Sequence, residues 1–469
     1  MNSSSNDIFL VDDEVTLTYG DLFGFTTALA EKLDDSEKPV LIPGFRHPLI
    51  VSAVAACSLL GKPAIIFGDH NKQHATGLAD KTSFYLTIDS LPTEFSVNCD
   101  SSQTIVLDPL SGKKDQTIRR FEEVDSRHLV TLFTSGTTGE ARPVHISRQQ
   151  MLTAANNAAN NFKPDTGEQW VLCLPLFHMG GLSIIYRSLI YGSAIHLLRD
   201  FDSETFTRKI KHHHEIRYAS MVPTQLHRVL KENPPENHFL KAILIGGGPI
   251  SADLLNRARA NHLPAIGSYG MTETCGQVAA QPVNNPEQTP VSSAGKLFDN
   301  HEIQIRDESN GKILPENSSG LIYLKGNQLP DIDLNPHLID KFDEDGWFAT
   351  GDFGYVDEQD NIYIEARRED LIITGGENVV PQKVEEVLLS IPALDDVAIT
   401  GIPDEEWGQK IVAVYTGEKP ADEQLQHEVR AKLPRFALPG AWIKVEAVPR
   451  NRLGKIERHK VREIVMKRS

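Results

Sequence analysis

The six residues from Thr134 to Gly139, Thr134-Ser135-Gly136-Thr137-Thr138-Gly139, are all small, and four of them carry hydroxyls. They follow an apolar run, Leu129–Phe133, that reads as a strand. Such a loop can wrap phosphate oxygens with its N–H and O–H groups. The GxxxxGK[ST] spacing is absent, so it is not a Walker A loop. Further along, GSYGMTETCGQ (Gly267–Gln277) offers Tyr269 to stack on a flat ring and Glu273 to bind Mg²⁺ held on substrate phosphates. In GWFATGDFGYVD, Asp352 follows a glycine turn at a strand end and can accept two hydroxyl hydrogen bonds, as from a ribose diol. Arg367 and Arg368 abut Glu369 and Asp370, then a short apolar strand, then Gly375-Gly376, which reads as a solvated linker able to hinge. Lys455 follows a glycine in the cation-rich loop PRNRLGKIERHKV. Taken singly, each segment has a plain alternative: a surface turn, a Tyr-Gly turn before a helix, or a solvated charged face.

The elements that must position these residues alternate. LTYGDLFGFTTALAEKL predicts a strand end and an amphipathic helix, with Phe23, Thr26, Leu29 and Leu33 at helical spacing. HPLIVSAVAACSLLGKPAIIFGD predicts a buried helix, a turn and a short apolar strand. The same texture continues to LKAILIGGGPI, and unalternating runs such as Ala242–Ile245 suit parallel strands covered on both faces. From Ser292 to Asp352 apolar and polar residues alternate, which suits antiparallel β structure. After Arg367 the order helix, strand, strand, helix, strand reads as a small α+β unit.

The 469 residues carry 47 Lys and Arg against 64 Asp and Glu, a net charge of −17, which argues against a duplex nucleic-acid binder. Cys57, Cys99, Cys173 and Cys275 form no CxxC pair, so structural zinc and a disulfide framework are not expected and a reducing cytoplasm is. No membrane span is expected, because the longest uncharged apolar stretch, Pro48–Gly61, is too short.

Together and in this order, the five segments resemble the acyl- and aryl-CoA synthetase family of adenylate-forming enzymes, over essentially the whole chain. The resemblance implies an α/β fold: a large N-terminal domain of layered α/β subdomains plus a small β region (residues 1–367), then a mobile C-terminal α+β lid (residues 368–469). It implies a ligase using ATP, Mg²⁺ and a small carboxylic acid, with CoA as co-substrate, and leaves a homo-oligomer open. Residue by residue, it implies that Thr134–Gly139 embraces the β- and γ-phosphates, and that Gly246, Gly247 and Gly248 line the adenine pocket with Tyr269. Thr272 would contact the α-phosphate, Glu273 hold Mg²⁺, and Asp352 bind the ribose with Arg367 nearby. His178 would gate the acyl pocket, Lys455 touch the carboxylate and α-phosphate, Glu369 act as hinge, and Gly375 and Gly376 approach the CoA tunnel.

Within the family, LPLFHMGGLS, MVPTQLHRVL, ILIGGGPIS, SYGMTETCGQ and SAGKLF are most similar to ligases of an aromatic dicarboxylic acid. Its non-reacting carboxylate needs a polar or cationic receptor, for which His178, Ser183 and Arg187 are the candidates. A general aryl- or medium-chain acyl-CoA synthetase and a stand-alone adenylation enzyme loading a carrier protein share these motifs. A non-catalytic nucleotide-binding protein is the reading from outside the class. The chain departs from the family pattern in three places. Arg142-Pro143 replaces Lys-Gly after the hydroxyl-rich loop, and Glu369 stands at the hinge. LPDIDLNPHLIDKFD (Leu329–Asp343) replaces a Gly-Tyr stretch and has no role assigned by the resemblance.

Overall fold

The computed structural model describes all residues except 1–3, 34–37, 72–73, 75–83, 90–91, 93–103, 108–120, 125–126, 136–140, 163, 249, 285, 422–428, 430–431, 451–455 and 469. The chain divides into two compact units, residues 1–302 with 324–348 and residues 303–323 with 349–469.

In the first unit, apolar runs without alternation become strands buried on both faces: Ala64–Phe67, Gln169–Leu172, Ala194–Leu197 and Ala242–Ile245. Nine strands form one sheet, in which Ile8–Val11, Ala194–Leu197, Gln169–Leu172, Ile216–Met221, Ala242–Ile245 and Ala265–Met271 lie side by side in parallel. Six strands form a second sheet, also mainly parallel, which ends in an antiparallel hairpin of His128–Ser135 and Ala141–Ser147.

The helices start and stop where local chemistry dictates. Pro48 opens the helix Pro48–Leu60, His47 accepts from the Leu49 N–H at 3.2 Å, and Gly61 ends it at φ +71°. This helix is apolar on nearly every side and is buried accordingly. Tyr19 opens the helix Tyr19–Ala30, and its hydroxyl donates to the carbonyl of Ser188 (2.7 Å) at the end of the helix Met179–Tyr191.

The plain alternative for the Tyr269 segment, a turn before a helix, is not what the chain forms. After Tyr269 the chain does not enter a helix. It turns at 272–275 and returns as the antiparallel strand Gly276–Ala280. The reason is local. Thr274 Oγ1 accepts from the Met271 N–H (3.0 Å) and donates to the Gly276 carbonyl (2.8 Å), closing the turn. The strands approach so closely that a Cβ at Gly270 would lie 2.0 Å from the Gly276 oxygen.

The second unit contains the antiparallel pair in which Asp352 faces Arg367. It also contains the hairpin of Ile372–Thr374 with Glu377–Val379, and a three-stranded sheet of Leu394–Asp404, Gly408–Gly417 and Ala441–Lys444. Helices Pro381–Leu389 and Arg458–Met466 pack on that sheet. The helix expected over ADEQLQHEVRAKLP falls largely outside the described residues. Among the described residues no helix is long and apolar enough to cross a membrane.

Two histidines of the first unit are folded at a cost in acid. Burial, with neighbouring cationic groups, pushes His128 and His196 down to about 4. Their folded values lie below the unfolded value near 6.5, so the unfolded chain binds more protons between pH 6.5 and 4. The stability they contribute is therefore complete above about pH 6.5 and is lost as pH falls toward 4, at about 3 kcal/mol per histidine. Urea midpoints should fall steeply between pH 7 and 4.5; a flat profile would contradict this.

Candidate active site

Open parallel sheets bind ligands beyond the carboxyl ends of their strands. The nine-stranded sheet gathers several candidate residues there. His178 caps the helix that follows Gln169–Leu172, with its ring 4.7 Å from Phe177. Gly246, Gly247 and Gly248 follow Ala242–Ile245. Gly247 has φ +76°, and a Cβ at Gly248 would meet nothing within 4 Å. On the adjacent strand Tyr269 is buried, and Thr272 and Glu273 stand half-buried on the turn beyond it. The Glu273 carboxylate has no partner among the described residues. No group of three or more His, Cys, Asp or Glu among them could hold a metal. A lone carboxylate fits Mg²⁺ that takes its remaining ligands from phosphates and water.

The hydroxyl-rich loop sits at the end of the second sheet. Thr134 faces Arg142 across its stem, and the Thr134 hydroxyl donates to the Arg142 carbonyl at 3.5 Å. Ser135 ends the strand opposite Ala141, and Gly136, Thr137, Thr138 and Gly139 lie outside the described residues. Arg142 is exposed, and Pro143 sits within the returning strand opposite Phe133.

Arg187, on the helix Met179–Tyr191, is the unusual group. It is only 4% exposed, stacks 4.5 Å from the Trp170 ring and donates through Nη2 to Gln277 Oε1 at 2.8 Å. Its Nη1 and the Gln277 Nε2 are buried without a partner among the described residues. Burial draws the guanidinium below its ordinary value, yet an arginine remains charged. A small cavity, with room for about one water molecule, is lined by Ser183, Arg187, Cys275, Gln277, Met151 and Ala155. A buried guanidinium with an unused donor has a proton left to give to an anion's oxygen. Gln277 and Trp170 were not singled out by sequence. Gln277 closes a motif already of interest, whereas Trp170 gives no signal beyond being apolar.

In the second unit Asp352 is 4% exposed, lies inside the strand Phe348–Val356 rather than at its end, and pairs with Arg367 Nε at 2.9 Å. Its backbone N–H donates to Thr350 Oγ1 (3.0 Å), and Arg367 Nη1 donates to the Thr350 carbonyl (3.3 Å). Glu369 is exposed on the short turn Arg368–Asp370 that follows. Gly375 and Gly376 form a two-residue hairpin turn with φ +60° and +83°, which side chains disfavour at both positions. The Gly375 N–H donates to the Trp407 carbonyl at 2.8 Å. Lys455 lies outside the described residues, but its flanks are anchored. Arg450 grips Asp396 with two bonds (2.8 and 3.0 Å), and half-buried Arg458 spans Glu385 (2.8 Å) and Asp370 (3.3 Å).

An α/β body with turns at the carboxyl ends of its parallel strands, followed by an α+β unit in which Asp352 pairs with Arg367, suits the adenylate-forming fold. The sequence matches the AMP-binding enzyme family model over residues 1–330 and the AMP-binding enzyme C-terminal domain over residues 383–455. The chain belongs to the AMP-binding enzyme family. It is 31% identical over 470 residues to the 2-succinylbenzoate–CoA ligase of Bacillus subtilis (97% of this chain, 95% of that protein). It is 36% identical over 332 residues to that of Enterococcus faecalis (70% and 68%). The B. subtilis o-succinylbenzoate CoA synthetase has been solved with its acyl-adenylate intermediate. That structure superposes with a TM-score of 0.82 at 29% identity, covering 97% of this chain and 95% of that one. The same enzyme with ATP and magnesium ion also gives 0.82, covering 97% and 96%.

Proposed function

We propose that this chain is an ATP-dependent ligase that joins o-succinylbenzoate to CoA through an acyl-adenylate. The acid is the one named for its relatives. The observation that carries the choice is Arg187, a buried guanidinium with an unused donor on the helix that His178 begins. An aryl monoacid gives that cation no partner.

In the first half-reaction an acid oxygen forms a bond to the α-phosphorus of ATP, and pyrophosphate leaves. Thr134–Gly139 hold the β- and γ-phosphates through hydroxyls and N–H groups. Gly246–Gly248 and Tyr269 receive adenine, Thr272 the α-phosphate, and Asp352, oriented by Arg367, the ribose. Glu273 holds Mg²⁺, which neutralises phosphate charge. Lys455 places a positive charge at the reacting carboxylate and α-phosphate, a contribution of about 3–4 kcal/mol by analogy with one oxyanion donor. In the second half-reaction the CoA sulfur, having lost its proton, attacks the acyl carbonyl and AMP leaves. Residues 368–469 act as a lid turning at Glu369, which withdraws Lys455 and brings Gly375 and Gly376 to the thiol's path. His178 gates the acyl pocket between the two steps. The cytoplasm, which supplies both ATP and CoA, is the compartment this reading favours. Exchange of labelled pyrophosphate into ATP that depends on o-succinylbenzoate tests the adenylate; exchange indifferent to added acid would refute it.

A further inference from the structure

The segment Leu329–Asp343 departs from the family pattern, and it begins beside a side chain the mechanism does not use. Gln328 is fully buried. Its Nε2 donates to the carbonyls of Thr274 (2.7 Å) and Gln277 (2.9 Å), and its Oε1 accepts from Asn157 Nδ2 (3.1 Å). Two carbonyl acceptors on one side fix which end of the amide is NH₂. One carbonyl belongs to the turn that presents Glu273, and the other to the start of the returning strand, where Gln277 bonds Arg187. Seven residues on, Asn335, also fully buried, grips the hairpin that bears the hydroxyl-rich loop. Its Oδ1 accepts from the His145 N–H (2.8 Å) and its Nδ2 donates to the His145 carbonyl (2.7 Å). Arg127 further pins the segment between them through Asp331 (2.8 Å) and Asp333 (2.6 Å). Residues 328–335 are thus a strap tied at one end to the turn and at the other to the loop stem.

We propose that Gln328 is a positioning residue that makes the 272–275 turn and the first residues of the strand after it one rigid piece, so that the metal-holding end and the acid-holding end are set together. The inference rests on the proposed roles of Glu273 and of Arg187, which donates to Gln277 Oε1. A residue that only stabilised the fold would change the amount of active enzyme and leave its affinities alone. Gln328 would instead move two affinities at once.

The test compares Gln328→Met with Asn157→Ala in the full chain. Asn157→Ala removes one bond to Gln328 but leaves both carbonyl bonds. Thermal unfolding and steady-state kinetics are measured for each, with Mg²⁺·ATP and o-succinylbenzoate varied in turn. For Gln328→Met, both KM values and the half-activating Mg²⁺ concentration should rise at least about tenfold, following the loss expected when a buried network is opened. For Asn157→Ala, Tm should fall while both KM values stay within about twofold. If Gln328→Met fails to fold, Gln328→Asn, one methylene shorter, must show the same paired rise by at least about threefold. A fall in Tm with both KM values unchanged, or a rise in only one, overturns the proposal. Wild-type enzyme assayed in parallel separates this failure from failure of the ligase reading, which would appear as no o-succinylbenzoate activity at all.

Discussion

Arg187→Met is expected to raise KM for o-succinylbenzoate about a hundredfold, because a desolvated charge pair that loses one partner costs about 3 kcal/mol. KM for benzoate, which has no second carboxylate, should change by no more than about threefold. The variant should not unfold the protein. Arg187 is stacked on Trp170 and 5.8 Å from the Phe162 ring, and a methionine of similar length keeps much of that packing. In the free enzyme the unpaired Nη1 is a burden, so Tm should hold or rise. Steady-state kinetics on both acids and a thermal melt check this. Equal losses on the two acids would remove Arg187 as the receptor.

Glu273→Gln is the second large effect. The carboxylate sits half-buried without a partner among the described residues, so its loss disturbs little of the fold. Loss of a charged group at a phosphoryl transition state should lower kcat/KM for ATP by roughly a hundredfold or more. The half-activating Mg²⁺ concentration should rise at least about tenfold, with activity partly restored by excess Mg²⁺. An unchanged Mg²⁺ dependence would mean that Glu273 does not touch the metal.

Parts of this were legible in the residues. The Gly375-Gly376 turn is a local feature that two adjacent glycines announce, and the family resemblance implied Arg367 near Asp352, with which it pairs. Parallel buried strands were legible too, because Ala242–Ile245 has no polar face to show. The return of the chain after Tyr269 was not, since it depends on the Thr274 hydroxyl closing a turn and on Gly270 meeting Gly276. The Arg187–Gln277 contact joins residues 90 apart in sequence, and the Gln328 bonds span 51 and 54. Such pairings leave no trace in spacing. Arg187 was a candidate by its type and by its place near the segment the resemblance assigns to the acid pocket; its burial against Trp170 and its unused Nη1 are what the structure adds.

The most direct test is pyrophosphate release with ATP, Mg²⁺ and CoA, measured against o-succinylbenzoate, benzoate, a cinnamate and octanoate. The account predicts a kcat/KM for o-succinylbenzoate at least roughly a hundredfold above the others, since a buried cation left unpaired penalises every monoacid. A monoacid preferred over o-succinylbenzoate would contradict it.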